Sequence, residues 1–187
     1  MAKIFGLWPK QKMYIDKKIM ISANKIFLIG FMGSGKTHWG KLWAQKTGLQ
    51  FFDLDHVIEQ EEKKTIAEIF EQNGEAYFRQ KETDVLKKFL TKKKCIISTG
   101  GGVPCFNNNM QWMNENGTTV YFAATPAEIL KRVITEQEKR PLIKGLSPEE
   151  LLGFIKNKLI EREPFYNKAK IILSVADIHQ DTINRIL

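Results

Sequence analysis

No apolar run in this chain of 187 residues approaches the ~18 residues of a membrane-spanning helix. KIFLIGFMG is cut off at Lys36, and CIIS gives way to glycines. The N-terminal lysines are followed only by IFGLW and then PKQK, too short an apolar stretch for a secretory signal. Cysteine is scarce. Cys95 and Cys105 make neither a CxxC pair nor a framework of close partners, which excludes a disulfide scaffold and favours free thiols in a reducing compartment. Cys105 reads as a small buried residue with no chemical role. Internal repeats and low-complexity tracts are also missing. What remains is a cytoplasmic globular chain, 43% apolar and 27% charged, of a size that buries one good core.

The charge is one-sided but uneven. Of a net +8, half falls in residues 1–19, where Lys3, Lys10, Lys12, Lys17 and Lys18 stand against Asp16. A uniformly basic nucleic-acid binder is therefore not indicated. Residues 1–24 are set apart as a basic extension, open to being a disordered tail, an alternative start near Met20 or an appendage. Residues 25–187 are expected to form a single domain.

Along that domain, β-rich apolar runs alternate with helical patterns. KIFLIG precedes a helix from about Lys36 to Lys46. LQFFDLD precedes helical segments reaching about Lys92. KCIIST comes before a helix near 107–115, TTVYFA before one opened by Thr125 and Pro126, and a helix from Pro148 to about Glu163 before KIILSV. Five strands alternating with helices predict an α/β fold: a parallel sheet covered on both faces, with ligands at the carboxyl ends of the strands. One long polar connection, 135–147, carries Lys139, Arg140 and Lys144 and is broken by Pro141 and Gly145, as a mobile lid would be.

Gly30 to Thr37, GFMGSGKT, satisfies GxxxxGK[ST] between a predicted strand and a predicted helix. Glycines let consecutive N–H groups curl toward phosphate oxygens, and the helix N-terminus adds partial positive charge. Lys36 can reach the terminal phosphates, and the Thr37 hydroxyl can hold Mg²⁺. Phe51-Phe-Asp53-Leu-Asp55 is read as the end of the second strand, whose alternation sends both carboxylates to one side. A bare turn and helix cap is the plainer alternative. Beside a phosphate loop, one carboxylate can organise the water around Mg²⁺ while the other meets an attacking hydroxyl. With an unperturbed pKa of about 3.9, Asp55 is expected to be a poor base that takes a proton late. Arg79 and Glu82, three apart on a helix, are on this evidence a surface ion pair. Gly100-Gly101-Gly102 closes the third strand and permits close approach of a ligand to backbone. Arg162, in EREPFY, can be no more than a favourable charge at a helix end.

Taken together, GFMGSGKT, FFDLD, IAEIF..GE..FR..E, TGGG, RPL and EREPFY resemble, in order and spacing, the shikimate kinase family of nucleoside-monophosphate-kinase-like P-loop enzymes. The resemblance covers about Lys25 to Val175. It implies a three-layer α/β/α sandwich with a five-stranded parallel sheet, and transfer of the ATP γ-phosphoryl group to the 3-hydroxyl of shikimate. By that resemblance Gly33, Ser34, Gly35, Lys36, Thr37 and His38 hold the phosphates, Thr37 ligates Mg²⁺, and Asp53 supports the ion through water. Asp55 meets the acceptor hydroxyls, Arg79 and Arg162 clamp the carboxylate, Gly101 offers backbone, Arg140 is the lid arginine and Arg132 lies on the adenine. Glu82 steers Arg79. The catalytic set is then Lys36, Asp55 and Arg140. The partners are ATP and shikimate, with neither nucleic acid nor membrane, and the chain is expected to be a monomer.

Two positions depart from the family: His38 stands where a small hydroxyl residue is usual, and Trp39 replaces an aliphatic. Trp39 and Trp43, four apart, are expected to pack rather than stack on a base. Rival readings are a kinase for gluconate, which the paired arginines and TGGG oppose, and a P-loop protein that binds nucleotide or nucleic acid without catalysis.

Overall fold

The computed structural model describes residues 25–139 and 143–187. The extension 1–24 and the segment 140–142, with Arg140 and Pro141, lie outside the described residues. Five strands, β1 Lys25–Ile29, β2 Gln50–Asp53, β3 Cys95–Ser98, β4 Thr118–Ala123 and β5 Ile171–Ser174, form one sheet in the order β2-β3-β1-β4-β5. Every pairing is parallel. Because β1 is covered on both faces, its residues are all buried, which is why Ile26 to Ile29 read as a continuous apolar run after Lys25. Ile26 and Leu28 join one core cluster with Trp43, Phe122 and Leu159, while Phe27 and Ile29 join the other with Ile97 and Tyr166. The α/β class, the five strands and their parallel order agree with the sequence expectation.

Among the described residues six α-helices cover the sheet: α1 Lys36–Thr47, α2 Leu54–Glu62, α3 Ile66–Lys88, α4 Asn109–Asn116, α5 Pro126–Val133 and α6 Pro148–Tyr166. Capping boxes open three of them, Thr65 with Glu68, Thr125 with Glu128 and Ser147 with Glu150. The chain leaves β1 through α1 toward one side of the sheet and leaves β3 through α4 toward the other. Between these neighbouring strands lies the topological switch point, where a crevice opens at the carboxyl ends. The phosphate loop follows β1 and the glycine triplet follows β3, so both motifs border that crevice.

Three details differ from the sequence reading. β2 stops at Asp53 and α2 starts at fully buried Leu54, so Asp55 belongs to the first turn of a helix and not to a strand. Asp53 and Asp55 share a side through a strand-to-helix turn, not through strand alternation. α3 is kinked at Gly74, whose φ of 78° and ψ of 172° are not helical. Part of the long polar connection is helical: Ile134–Lys139 is a 3-10 helix, Ile143 is buried, and Gln137 Nε2 donates to the carbonyls of Ile143 and Leu146 at 2.7 Å each.

Glycine shows where packing is tightest. A Cβ on Gly40, inside α1, would sit 2.5 Å from the Phe51 ring and 2.9 Å from a Leu28 methyl, whereas one on Gly153 in α6 would meet nothing within 4 Å. We predict that Gly153→Ala raises stability by about 0.5–1 kcal/mol through helix propensity and unfolded-state entropy. Gly40→Ala should instead give a net loss of about 1 kcal/mol or more, overpacking outweighing the same gain. Urea unfolding of the two variants checks the contrast; equal shifts would refute it.

Candidate active site

The phosphate loop owes its shape to glycines with positive φ: Gly30 at 138°, Gly33 at 74° and Gly35 at 93°. Gly35 is the N-cap of α1 and no side chain caps that end, so the first N–H groups of the helix are left to face the crevice. Lys36 is buried and turned along the loop, its Nζ donating to the carbonyls of Gly30 at 2.8 Å and Phe31 at 2.9 Å. Ser34 is wholly buried and serves the loop's interior. His38 is exposed at the crevice, edge-on to Trp39 at 5.2 Å. Trp43 is fully buried and Trp39 packs on the same core, as expected. Arg132 reaches across from α5, its Nη1 donating to the Gly33 carbonyl at 3.1 Å. Gly33, Gly35, Lys36, Thr37, His38 and Arg132 border a cleft of about 470 Å³.

Asp53 occupies the N-cap position of α2 yet makes no capping bond. Its Oδ2 accepts from the Thr37 hydroxyl at 2.7 Å, and Thr37 Oγ1 also lies 3.3 Å from the buried Ser98 Oγ. The plainer cap reading is thus set aside by geometry. Ser98 was missed in the sequence, because a serine at a strand end carries no signal until its register beside Leu28 and Asp53 is known.

The glycine triplet has a sharper role than close approach of a ligand. A Cβ on Gly100 would lie 2.7 Å from Asp55 Oδ1 and 2.9 Å from Glu82 Oε1; on Gly102, 2.4 Å from Arg79 Nη1; on Gly101, 3.2 Å from Arg162 Nη1. Two acids and two arginines thus press against backbone that has no side chains. Tyr166 donates to the Gly101 carbonyl at 2.5 Å, and Arg162, one turn earlier in α6, is carried to the same place. The surface ion pair expected for Arg79 and Glu82 is instead buried, with Nη1 to Oε2 at 2.8 Å and exposures of 8% and 1%. Three aromatic rings surround the guanidinium: Phe106 at 4.6 Å, Phe78 at 5.3 Å and Phe70 at 5.7 Å. The second cleft, about 500 Å³, is bordered by Arg79, Arg162, Glu82 and the apolar wall of Ile66, Phe70 and Phe78.

Enclosure controls the acids. Asp55 Oδ1 is buried without a hydrogen-bond partner. Burial, reinforced by Asp53, raises its pKa to about 6 against the pull of Lys36, which corrects the expectation of an ordinary, poorly basic carboxylate. Burial likewise lifts Glu82 to about 7, although Arg79 opposes the rise.

The family profile described as shikimate kinase matches residues 32–187. The chain belongs to the shikimate kinase family. A shikimate kinase of Azobacteroides pseudotrichonymphae is 46% identical over 161 residues, 86% of this chain and 95% of that one. Among solved structures, a shikimate kinase from Bacteroides thetaiotaomicron is 39% identical with a TM-score of 0.80, covering 87% of this chain and 93% of its own. One from Acinetobacter baumannii, determined in complex with shikimate, is 32% identical with a TM-score of 0.77 over 88% and 90%. These likenesses agree with the three-layer P-loop architecture expected for a shikimate kinase.

Of the residues singled out in the sequence, Gly33, Gly35, Lys36, Thr37, His38, Asp53, Asp55, Gly101 and Arg132 meet in the first cleft, and Asp55, Arg79, Gly101 and Arg162 in the second, while the Ser34 side chain is buried behind the loop. Arg140 lies outside the described residues. The raised acids make a stability prediction. A carboxyl whose folded pKa lies above its unfolded one stabilises fully below the unfolded value, and that contribution is lost as pH rises through the folded value. The Asp55 term should therefore be present below pH 4 and gone above pH 6 to 7. We predict that Asp55→Asn gains on the parent protein by about 2 kcal/mol between pH 4 and pH 8, after allowance for partial solvent access. Urea unfolding at the two pH values measures this, and a pH-independent difference would contradict it.

Proposed function

We propose that this chain transfers the γ-phosphoryl group of ATP to the 3-hydroxyl of shikimate, giving shikimate 3-phosphate and ADP on the route to chorismate and the aromatic amino acids. One observation carries the reading: Asp55, with Met32, Gly100 and Gly101, borders both clefts. A phosphate held by the loop and a hydroxyl-bearing acid held by the arginines would meet at that carboxylate.

In this reading Gly33, Ser34, Gly35, Thr37 and His38 cradle the phosphates mainly through backbone N–H groups, so a histidine in place of a hydroxyl residue keeps the main contact. Arg132 covers the nucleotide beside Gly33. Lys36 and Arg140 neutralise charge on the transferring group, and the lid, about 135–147, excludes water that would otherwise accept the phosphoryl group. Arg79 and Arg162 hold the carboxylate because a planar guanidinium offers paired donors, and Gly101 presents backbone to the ring. The transition state is loose, so placing the hydroxyl in line matters most. Asp55, enclosed and with a pKa near 6, both orients that hydroxyl and accepts its proton as the P–O bond forms.

The residues present suit Mg²⁺. Thr37, Asp53 and Ser98 gather oxygen donors, and no group of three or more His, Cys, Asp or Glu is found among the described residues, as fits an ion held largely by phosphates and water. Bound there by Thr37, with Asp53 supporting it through water, it would neutralise β- and γ-phosphate charge.

The protein is read as a monomer built on a single domain, 25–187, whose own residues line both described clefts. Free cysteines support a cytoplasmic setting, and no described helix is long and apolar enough to cross a membrane. No nucleic-acid partner enters the reading.

ADP release from Mg-ATP should require shikimate; turnover with gluconate and none with shikimate would sink the proposal. Arg79→Lys should raise the shikimate KM about 10- to 100-fold, the worth of a charge-assisted hydrogen bond, with a much smaller effect on ATP. An unchanged KM would remove Arg79 from the clamp. Asp55→Asn should lower kcat by about 10²- to 10⁴-fold. In the parent enzyme kcat/KM should decline on the acid side as pH falls through about 6, where Asp55 becomes protonated. A pH profile flat down to pH 5, or near-normal kcat in the variant, would take the proton-accepting role from Asp55.

A further inference from the structure

The two arginines bordering the second cleft are unequal. Among the described residues no carboxylate pairs with Arg162, whose guanidinium lies over the Phe31 ring at 5.4 Å. Arg79 has two acids. Glu82 takes Nη1 from within the protein, and Glu75 takes the opposite edge, its Oε1 accepting from Nε at 3.1 Å and Nη2 at 2.9 Å. That edge is one on which guanidinium grips a carboxylate with parallel N–H groups. A carboxylate approaching the other edge, between Nη1 and Nη2, would come in beside both acids and be repelled by them.

The two acids differ in what they can do. Glu82 is 1% exposed and packed against the position of a Gly100 Cβ, so it has nowhere to go. The Glu75 side chain is 60% exposed and lies at the front of the half of α3 that follows the Gly74 kink. Because its own carboxylate is already largely solvated, it can turn into water with little change in its hydration, although Arg79 itself is buried. Its single-oxygen grip on two donors is also less complete than the two-oxygen match a free carboxylate can make.

We propose that Glu75 is an internal carboxylate that occupies Arg79 in the free enzyme and is displaced by the carboxylate of the acceptor, so that Arg79 is given up only to a ligand bearing that group. This rests on the reading of Arg79 as a carboxylate clamp. Displacement subtracts from the affinity for the acid, while a neutral acceptor analogue, unable to displace Glu75, is unaffected by it. Glu75 is thus a specificity-determining residue that acts through Arg79 and need not touch the acceptor ring.

The test is calorimetric titration of the full chain with shikimate and with its neutral methyl ester. Glu75→Gln should lower the Kd for shikimate about two- to fivefold and leave that for the ester unchanged. Glu75→Asp keeps the charge but shortens the reach, and it should also tighten shikimate. An unchanged or higher Kd for shikimate in Glu75→Gln would overturn the proposal. So would equal tightening of acid and ester, or a gain in Gln without one in Asp, which would point to the general field of the charge. Arg79→Met separates the underlying reading: parent-like shikimate affinity in that variant would fail the clamp itself, whereas lost affinity with a silent Glu75→Gln would fail only the displacement. Thermal unfolding of each variant, with a parent-like transition, shows that the comparison is made on folded protein.

Discussion

Three residues without side chains allow four charged groups to converge on one strand end. At Gly100, Gly101 and Gly102 the space a Cβ would fill is already claimed by Asp55, Glu82, Arg162 and Arg79. The constraint is steric, not conformational, since none of the three has positive φ. Any side chain there would separate the carboxylate at the junction of the clefts from the arginines beyond it. The aromatic rings around Arg79, the bond from Tyr166 to the Gly101 carbonyl and the kinked course of α3 all serve to bring charge against that bare backbone.

Topology makes the convergence possible. β1 and β3 are neighbours whose following helices leave in opposite directions, so a crevice forms where the phosphate loop and the glycine triplet end their strands. Hydrogen bonds lock the two together: Thr99 donates through both N and Oγ1 to the Leu28 carbonyl, and Thr37 spans from α1 to Asp53 and Ser98. A nucleotide site and an acceptor site, as proposed for the two clefts, would inherit the stiffness of the sheet between them. Phosphoryl transfer needs this, because it depends on alignment more than on covalent help from the protein.

What could be read in the sequence follows from the range over which each signal acts. The phosphate loop is local in chain and in space, so its glycines, Lys36 and the helix behind it were legible from eight residues. Strand runs buried on both faces were legible as apolar runs. Asp53 and Asp55 were placed on the correct side for the wrong reason, because Leu54 could serve a strand or a buried helix start equally well. The ion pair of Arg79 and Glu82 was visible as a spacing, but not its burial, which depends on a triplet about twenty residues away and on Phe106 beyond it. Ser98 and the partial occupancy of the Arg79 donors by Glu75 depend on register and rotamer, for which composition holds no cue.

The raised acids explain why a biosynthetic enzyme keeps a cluster that works against its own folding. Ionised Asp55 lacks a partner for Oδ1, and burial raises Glu82 against the pull of Arg79, so near neutral pH the cluster stores unfavourable electrostatics. A well-solvated Asp55 would be easier to fold around, yet in the proposed role it would be a weak proton acceptor and free to turn away from the hydroxyl. Enclosure fixes its direction and raises its basicity together, because both follow from excluding water. The core on each side of the sheet supplies the stability that tolerates this, and the glycine triplet confines the unfavourable charge to the junction of the two clefts, where the proposed transfer would take place.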